Sequence, residues 1–207
     1  MIDINKEHYQ ALGYEKTDGL MIKVLWWHFA VLALGALAIY YFQPANFYPN
    51  PFSWRSLTIG ETVGAILVGF LASLIPTLLR NRIANHYFYR LIVTAAFMVY
   101  SFLIVLVSGG SIEMHFYLFG VWALLTLYYD RRLIWAGFFL MFLHRAILNY
   151  TIPLWLYHYG RNDVSLLAHT IFALLAAIFT ARIAESARQS IIKLKEANSL
   201  LESKIKT

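Results

Sequence analysis

Six apolar stretches, at about 21–43, 58–79, 88–108, 113–130, 132–150 and 164–183, dominate a chain of 207 residues. The hydrocarbon core of a bilayer is about 30 Å thick, and roughly 20 apolar helical residues cross it. Within that core every backbone N–H and C=O needs an internal partner, and a helix supplies one for each. The expected fold is therefore all-α, a six-transmembrane helical bundle over residues 21–183. Composition agrees, with 60% apolar, 17% aromatic and only 14% charged residues, against about 25% charged in a soluble domain. The first apolar run follows a charged segment, residues 1–20, and is too long for the core of a signal peptide. No internal repeat is visible. With no Cys in the chain, disulfides, thiolate metal sites and thiol nucleophiles are excluded.

The charge balance is Lys+Arg 17 against Asp+Glu 11, or +6. In so apolar a chain this excess points to cytoplasmic loops and a membrane lipid environment, not to nucleic-acid binding. Lys6, Lys16 and Lys23 precede the first span. Arg80, Arg82 and Arg90 lie between the second and third, Arg131 and Arg132 between the fourth and fifth, and Arg182 and Arg188 after the sixth. The other three loops carry only Arg55 and Arg161. Six spans put every basic segment on one side, so both termini are expected in the cytoplasm. The longest outer segments, 44–57 and 151–163, are too short to fold alone, since chains below about 40 residues rarely bury enough surface. A ligand from outside or from the lipid is thus expected within the bundle.

Beyond the sixth span the composition shifts to Ala, Glu, Lys, Ser and Leu. Ala187, Ile191, Leu194, Asn198, Leu201 and Ile205 follow a 4-3-4-3-4 spacing, a heptad seam with Ile191, Asn198 and Ile205 at a. Asn at a is a pairing device of parallel dimers. Residues 184–207 are expected to form a cytoplasmic coiled-coil helix in a parallel homodimer. An amphipathic helix on the membrane surface is the alternative. The seam runs to the end of the sequence without a cap, and an output domain is expected beyond it.

Ionisable groups inside spans cost about 2.5–3.5 kcal/mol each on insertion scales and mark function by default. Seven occur here: His28, Glu61, Glu113, His115, His144, Arg145 and His169. At a rise of about 1.5 Å per residue, His144 and His169 both lie roughly 9 Å below the outer surface, with His115 a turn or so deep. His28 falls nearer the cytoplasmic side. Imidazole with carboxylate suits copper, zinc, iron or nickel. A metal set of His115, His144 and His169, with Glu113 or Glu61 as fourth ligand and His28 as a further candidate, is expected. Arg145 would hydrogen-bond or neutralise a ligating carboxylate, and thioethers of Met114 and Met141 near this level favour Cu(I). Two histidines on facing helices would also suit haem. Taken singly, each His is equally a polar residue bonded to a neighbouring helix, Arg145 a snorkelling cation and Glu61 a solvated helix end. Glu113 and His115 are two residues apart, about 200° around a regular helix. Both reach one site only if Glu113 lies in the entering loop, which Gly109-Gly110-Ser111 permits.

Residues 108–120 read SGGSIEMHFYLFG and run on to Tyr128-Tyr129-Asp130-Arg131-Arg132. This run resembles a membrane-embedded sensory module at the N-terminus of bacterial histidine kinases, chemotaxis receptors and diguanylate cyclases. That module carries G-G-x-I-E-x-H-F-H-x-F, a Y-x-D-W-R turn, one or two His in the next helix and a His in the last. Gly109, Gly110, Ile112, Glu113, His115, Phe116, Phe119, Tyr128, Asp130, Arg132, His144 and His169 match it. Tyr117 stands at the second His of the run, Arg131 at the Trp of the turn, and Arg145 where some members have a second His. The likeness covers the third to sixth spans, and the first two only loosely. It implies a signal-input domain in a bacterial inner membrane, of the two-component or cyclic-dinucleotide kind, whose enzyme, a kinase or cyclase, lies beyond this chain.

Three other readings of the His/Glu set stand beside a metal sensor, with copper first and then zinc or iron. They are a haem sensor, a sensor of a lipophilic, quinone-type ligand, and a metal-dependent membrane enzyme or transporter.

Overall fold

The computed structural model describes residues 13–42, 57–83, 87–110, 112–157 and 160–205, with the backbone alone at Ile112 and Glu113. Seven α-helices occupy them: α1 Tyr14–Tyr41, α2 Ile59–Ile83, α3 Tyr87–Val107, α4 Ile112–His115, α5 Tyr117–Leu125, α6 Arg131–Thr151 and α7 Asp163–Ile205. Short 3-10 turns follow α5 and α6, at Thr126–Tyr128 and Pro153–Trp155. No strand occurs among the described residues. Five helices, α1, α2, α3, α6 and α7, are long and apolar enough to cross a membrane. Lys6, His8, Trp54, Arg55, His86 and His158 lie outside the described residues, as does most of segment 44–57.

α3 is the axis of the bundle. It packs against α1, α2, α5 and α6, while α7 packs on α6 and α5. Its residues Tyr89, Val93, Phe97, Tyr100 and Leu103 are at most 2% exposed. Large apolar side chains such as Trp27, Leu34, Phe139 and Phe179 point outward instead, as lipid-facing positions require. Close approach is set by small residues. A Cβ on Gly69 of α2 would lie 2.7 Å from the Leu32 side chain of α1. Around it the Tyr100 hydroxyl lies 2.6 Å from both the Gly69 carbonyl and Ser73 Oγ, and Ser73 Oγ lies 3.0 Å from the Leu25 carbonyl. With two hydroxyl hydrogens for three contacts, two are hydrogen bonds at any moment, and together the contacts join α1, α2 and α3.

Three features add to the sequence-based expectation. The first helix is longer than its apolar run: α1 begins at Tyr14, inside the charged segment 1–20, and buries Asp18 on the same face as Met21 and Leu25. The fourth apolar run is not one helix. Its ladder breaks at Phe116, between a single turn (α4) and the nine residues of α5, and the chain steps across with an i→i+3 bond from Phe119 N–H to the Phe116 carbonyl. The last apolar run and the tail are one helix, α7, of 43 residues.

One end of the bundle gathers the basic residues. Arg90 stacks on Tyr14 at 4.2 Å and Arg132 on Tyr87 at 4.6 Å. Arg80 donates to the Glu15 carbonyl, and Arg131 lies 3.9 Å from Glu185. Asp130 caps α6 by accepting from Arg132 N–H, and its carboxylate also takes the Arg132 guanidinium. The start of α1, the end of α2, the starts of α3 and α6 and the middle of α7 therefore share this end.

Candidate ligand cavity

Where α3 ends, Gly109 and Gly110 take φ of 69° and 80°, the left-handed region that glycine enters without steric cost. Gly110 N–H donates to the Val105 carbonyl and Gly109 N–H to that of Leu106. This 6→1 and 5→2 pair is a Schellman stop. It turns the chain straight into α4, which brings His115 inward one turn later.

His115 is 5% exposed and its ring centre lies 4.8 Å from that of His169 on α7. Tyr157, from the segment joining α6 to α7, stacks on His115 at 5.7 Å and lies 6.0 Å from His169. Both histidines, with Arg145 and Met141 of α6 and Phe116 and Phe172, line a cavity of about 280 Å³. His169 Nδ1 lies 2.6 Å from the Ser165 carbonyl, which can only accept. Nδ1 therefore carries the proton and Nε2 keeps its lone pair, the arrangement usual in metal-binding histidines. Arg145 is 2% exposed. Among the described residues its Nε and Nη1 have no hydrogen-bond partner.

The expected ligand set divides. His115 and His169 come together, with Met141 and Arg145 on the same wall. His144 does not join them. It precedes Arg145 by one residue, about 100° of helix rotation, so when Met141 and Arg145, four residues apart, face the cavity, His144 turns aside. Its ring lies against Phe102 of α3, 6.1 Å between centres, with Nδ1–H donating to the Leu140 carbonyl. Glu61 lies in a capping box at the start of α2: its carboxylate accepts from Thr58 N–H and hydroxyl while its own N–H donates to Thr58 Oγ1. The Glu113 side chain is outside the described residues. Among the described residues no group of three or more His, Asp or Glu side chains is placed to hold a metal.

Met114 and His28 face another space, on the opposite side of the broken span. Because α1 starts at Tyr14, His28 lies about 21 Å along it, and its ring meets Phe97, Tyr100 and Tyr117. His115 and Tyr117, two residues apart, point to different sides of the span, one to each space.

Sequence reading missed the buried charges at the basic end. Asp18 and Arg90 are both fully buried, though each was expected in a solvated segment. A signal for Asp18 was present: it falls three residues before Met21 and seven before Leu25, in step with the apolar face.

Among the described residues the protein is helical, with five helices that suggest a membrane protein and a buried cavity between α4, α5, α6 and α7 lined by imidazole and guanidinium groups. No protein-family model matches the chain, and neither a curated protein nor a solved structure shows significant similarity to it.

Proposed function

We propose that the chain is the signal-input module of a membrane sensor, taking a transition metal, copper first, between His115 and His169. Residues 112–128 complete a sixth crossing, the basic end faces the cytoplasm of a bacterial inner membrane, and α7 carries occupancy of the cavity to an output domain. The observation that carries this reading is the pairing of His115 and His169. One ring stands on the broken span and the other on α7, the helix that runs on into the tail. A ligand that binds both couples the cavity to the tail, provided it binds two arrangements of α7 with different affinity.

The separation also discriminates between ligands. Metal–imidazole bonds of about 2 Å put two rings roughly 6 Å apart, centre to centre, when they flank one metal from opposite sides, as axial haem ligands do. Cis ligands of one ion stand closer, near the 4.8 Å seen here. The geometry therefore favours a small ion over haem. Met141, beside the pair, adds a thioether that suits Cu(I). Arg145 adds a condition: a cation next to a buried guanidinium needs an anion between them, so the metal is held together with an anionic co-ligand.

Metal analysis of the protein purified under mild conditions tests the reading. About one copper per chain is expected, lost in His115→Ala and in His169→Ala and kept in His144→Ala. Less than about a fifth of an equivalent, with no uptake on titration, overturns it, as does retention in the first two variants.

A further inference from the structure

At the basic end of the bundle, α1 gathers cations on its outer face. Lys16 and Lys23 are both exposed, and helix rotation puts each within about 60° of Gly19. Gly19 seats a third cation. A Cβ there would lie 3.1 Å from Arg80 Nη2 of α2, and the same nitrogen donates to the Glu15 carbonyl at the surface. Having no side chain, Gly19 lets the guanidinium settle against α1 at a level between the two lysines. That bond uses one of the five N–H groups of Arg80, so the cation is held in place with its charge intact. Glu15 supplies its carbonyl, not its carboxylate, and Asp18 is buried on the opposite face with Met21 and Leu25. Among the described residues none of the three cations makes an ion pair.

Towards the bilayer the same face turns apolar. Leu20, Trp27, Val31 and Leu34 are all exposed and share with the two lysines a stripe about 80° wide on the helix. Helical side chains lean towards the N-terminus of their helix, so Lys23 reaches back from this stripe towards Arg80. We propose that this face binds an anionic phospholipid of the adjoining leaflet, its phosphodiester held by Lys16, Arg80 and Lys23 and an acyl chain laid along Leu20, Trp27 and Val31. Charge selects the headgroup. A zwitterionic lipid brings an ammonium towards three cations, whereas phosphatidylglycerol brings a phosphate and neutral hydroxyls. The apolar stripe selects a lipid, because a free anion would leave it uncovered. The site is remote from the His115–His169 cavity and independent of any metal there.

The test is native mass spectrometry of the full chain in detergent, titrated with phosphatidylglycerol and phosphatidylcholine of identical acyl chains. Phosphatidylglycerol should bind at least about tenfold more tightly. Lys16→Gln, Lys23→Gln and Arg80→Gln should each weaken it about fivefold, the effect of one cation near a membrane surface, and leave phosphatidylcholine unchanged. Both lysines are exposed, so their variants are expected to fold. Gly19→Leu removes no charge but displaces the guanidinium, and should weaken the anionic lipid alone. Arg131→Gln removes a charge from the same end of the bundle, outside the cluster, and should have no effect. Equal binding of the two lipids, unchanged affinity in both lysine variants, or a loss as large in Arg131→Gln would overturn the proposal. So would release of the lipid by millimolar inorganic phosphate, which would mark a site for free anions.

Discussion

Asn149 shows how single residues fix the geometry of the cavity. It is fully buried on α6, donates to Asp163 and accepts from Asn162 N–H, while Asn162 caps α7 by accepting from Ser165 N–H. These bonds tie the end of α6 to the start of α7, two turns from His169. Asn149→Ala leaves partners unpaired at that joint and should cost about 1–3 kcal/mol. That corresponds to roughly 2–12 °C in the thermal midpoint for a chain of this size, readable by thermal unfolding in detergent. An unchanged midpoint would show that water replaces both bonds. The neighbouring Arg161–Asp163 pair is exposed on both sides, and Arg161→Ala should move the midpoint far less. What the sequence concealed at this scale is direction. Depth along a helix follows from counting residues, which put His115, His144 and His169 at one level. Facing does not follow until the neighbours are known, and on α6 that choice went to Arg145.

At the scale of elements, long apolar runs were legible because length and hydropathy alone decide whether a helix can cross a bilayer. Breaks were not. Residues 113–130 read as one continuous span, yet no Pro marks the interruption at Phe116, whose φ of −69° and ψ of −17° remain helical. Only the hydrogen-bond ladder shows the step. The glycine stop before it was visible in the sequence, as the pair Gly109-Gly110, although its role is to end α3 and not merely to loosen a loop. Gly109→Val would force a β-branched residue into the left-handed region, at a cost of at least about 1–2 kcal/mol. It would also move the start of α4 and with it His115. The expected result is a lower thermal midpoint together with weakened metal uptake. A variant that lost stability but bound metal normally would separate the stop from the cavity.

For the whole molecule, the decisive element is α7, because one face of it serves two environments. Within the bundle it buries Ala173, Ala177, Ala181 and Ala184. Continuing the heptad backwards from Ile191 puts Ala177 and Ala184 at a and Ala173 at d, so the alanine seam and the tail seam are one stripe. The stripe changes from small to large residues where the helix leaves its neighbours, at Ile191, Leu194, Leu201 and Ile205. The last three are 63%, 58% and 83% exposed. Alanines let α7 approach α5 and α6 closely, whereas Leu194, Leu201 and Ile205 find no cover among the described residues. A straight helix drifts about 20° per heptad against a strict seven-residue repeat, and over three heptads that turns the tail seam about 60° from the alanine face. A second copy's tail would then meet the seam beside the bundle, not beneath it. If the tails pair in this way, Leu194→Lys with Leu201→Lys should convert a dimer into a monomer by light scattering, while copper uptake and the bundle's unfolding midpoint stay unchanged. Asn198→Leu should do the reverse, strengthening association while relaxing its specificity, since the buried amide favours one pairing at the expense of stability. A monomeric wild-type chain across the accessible concentration range would refute pairing through these residues and leave the membrane surface as the partner of the exposed stripe.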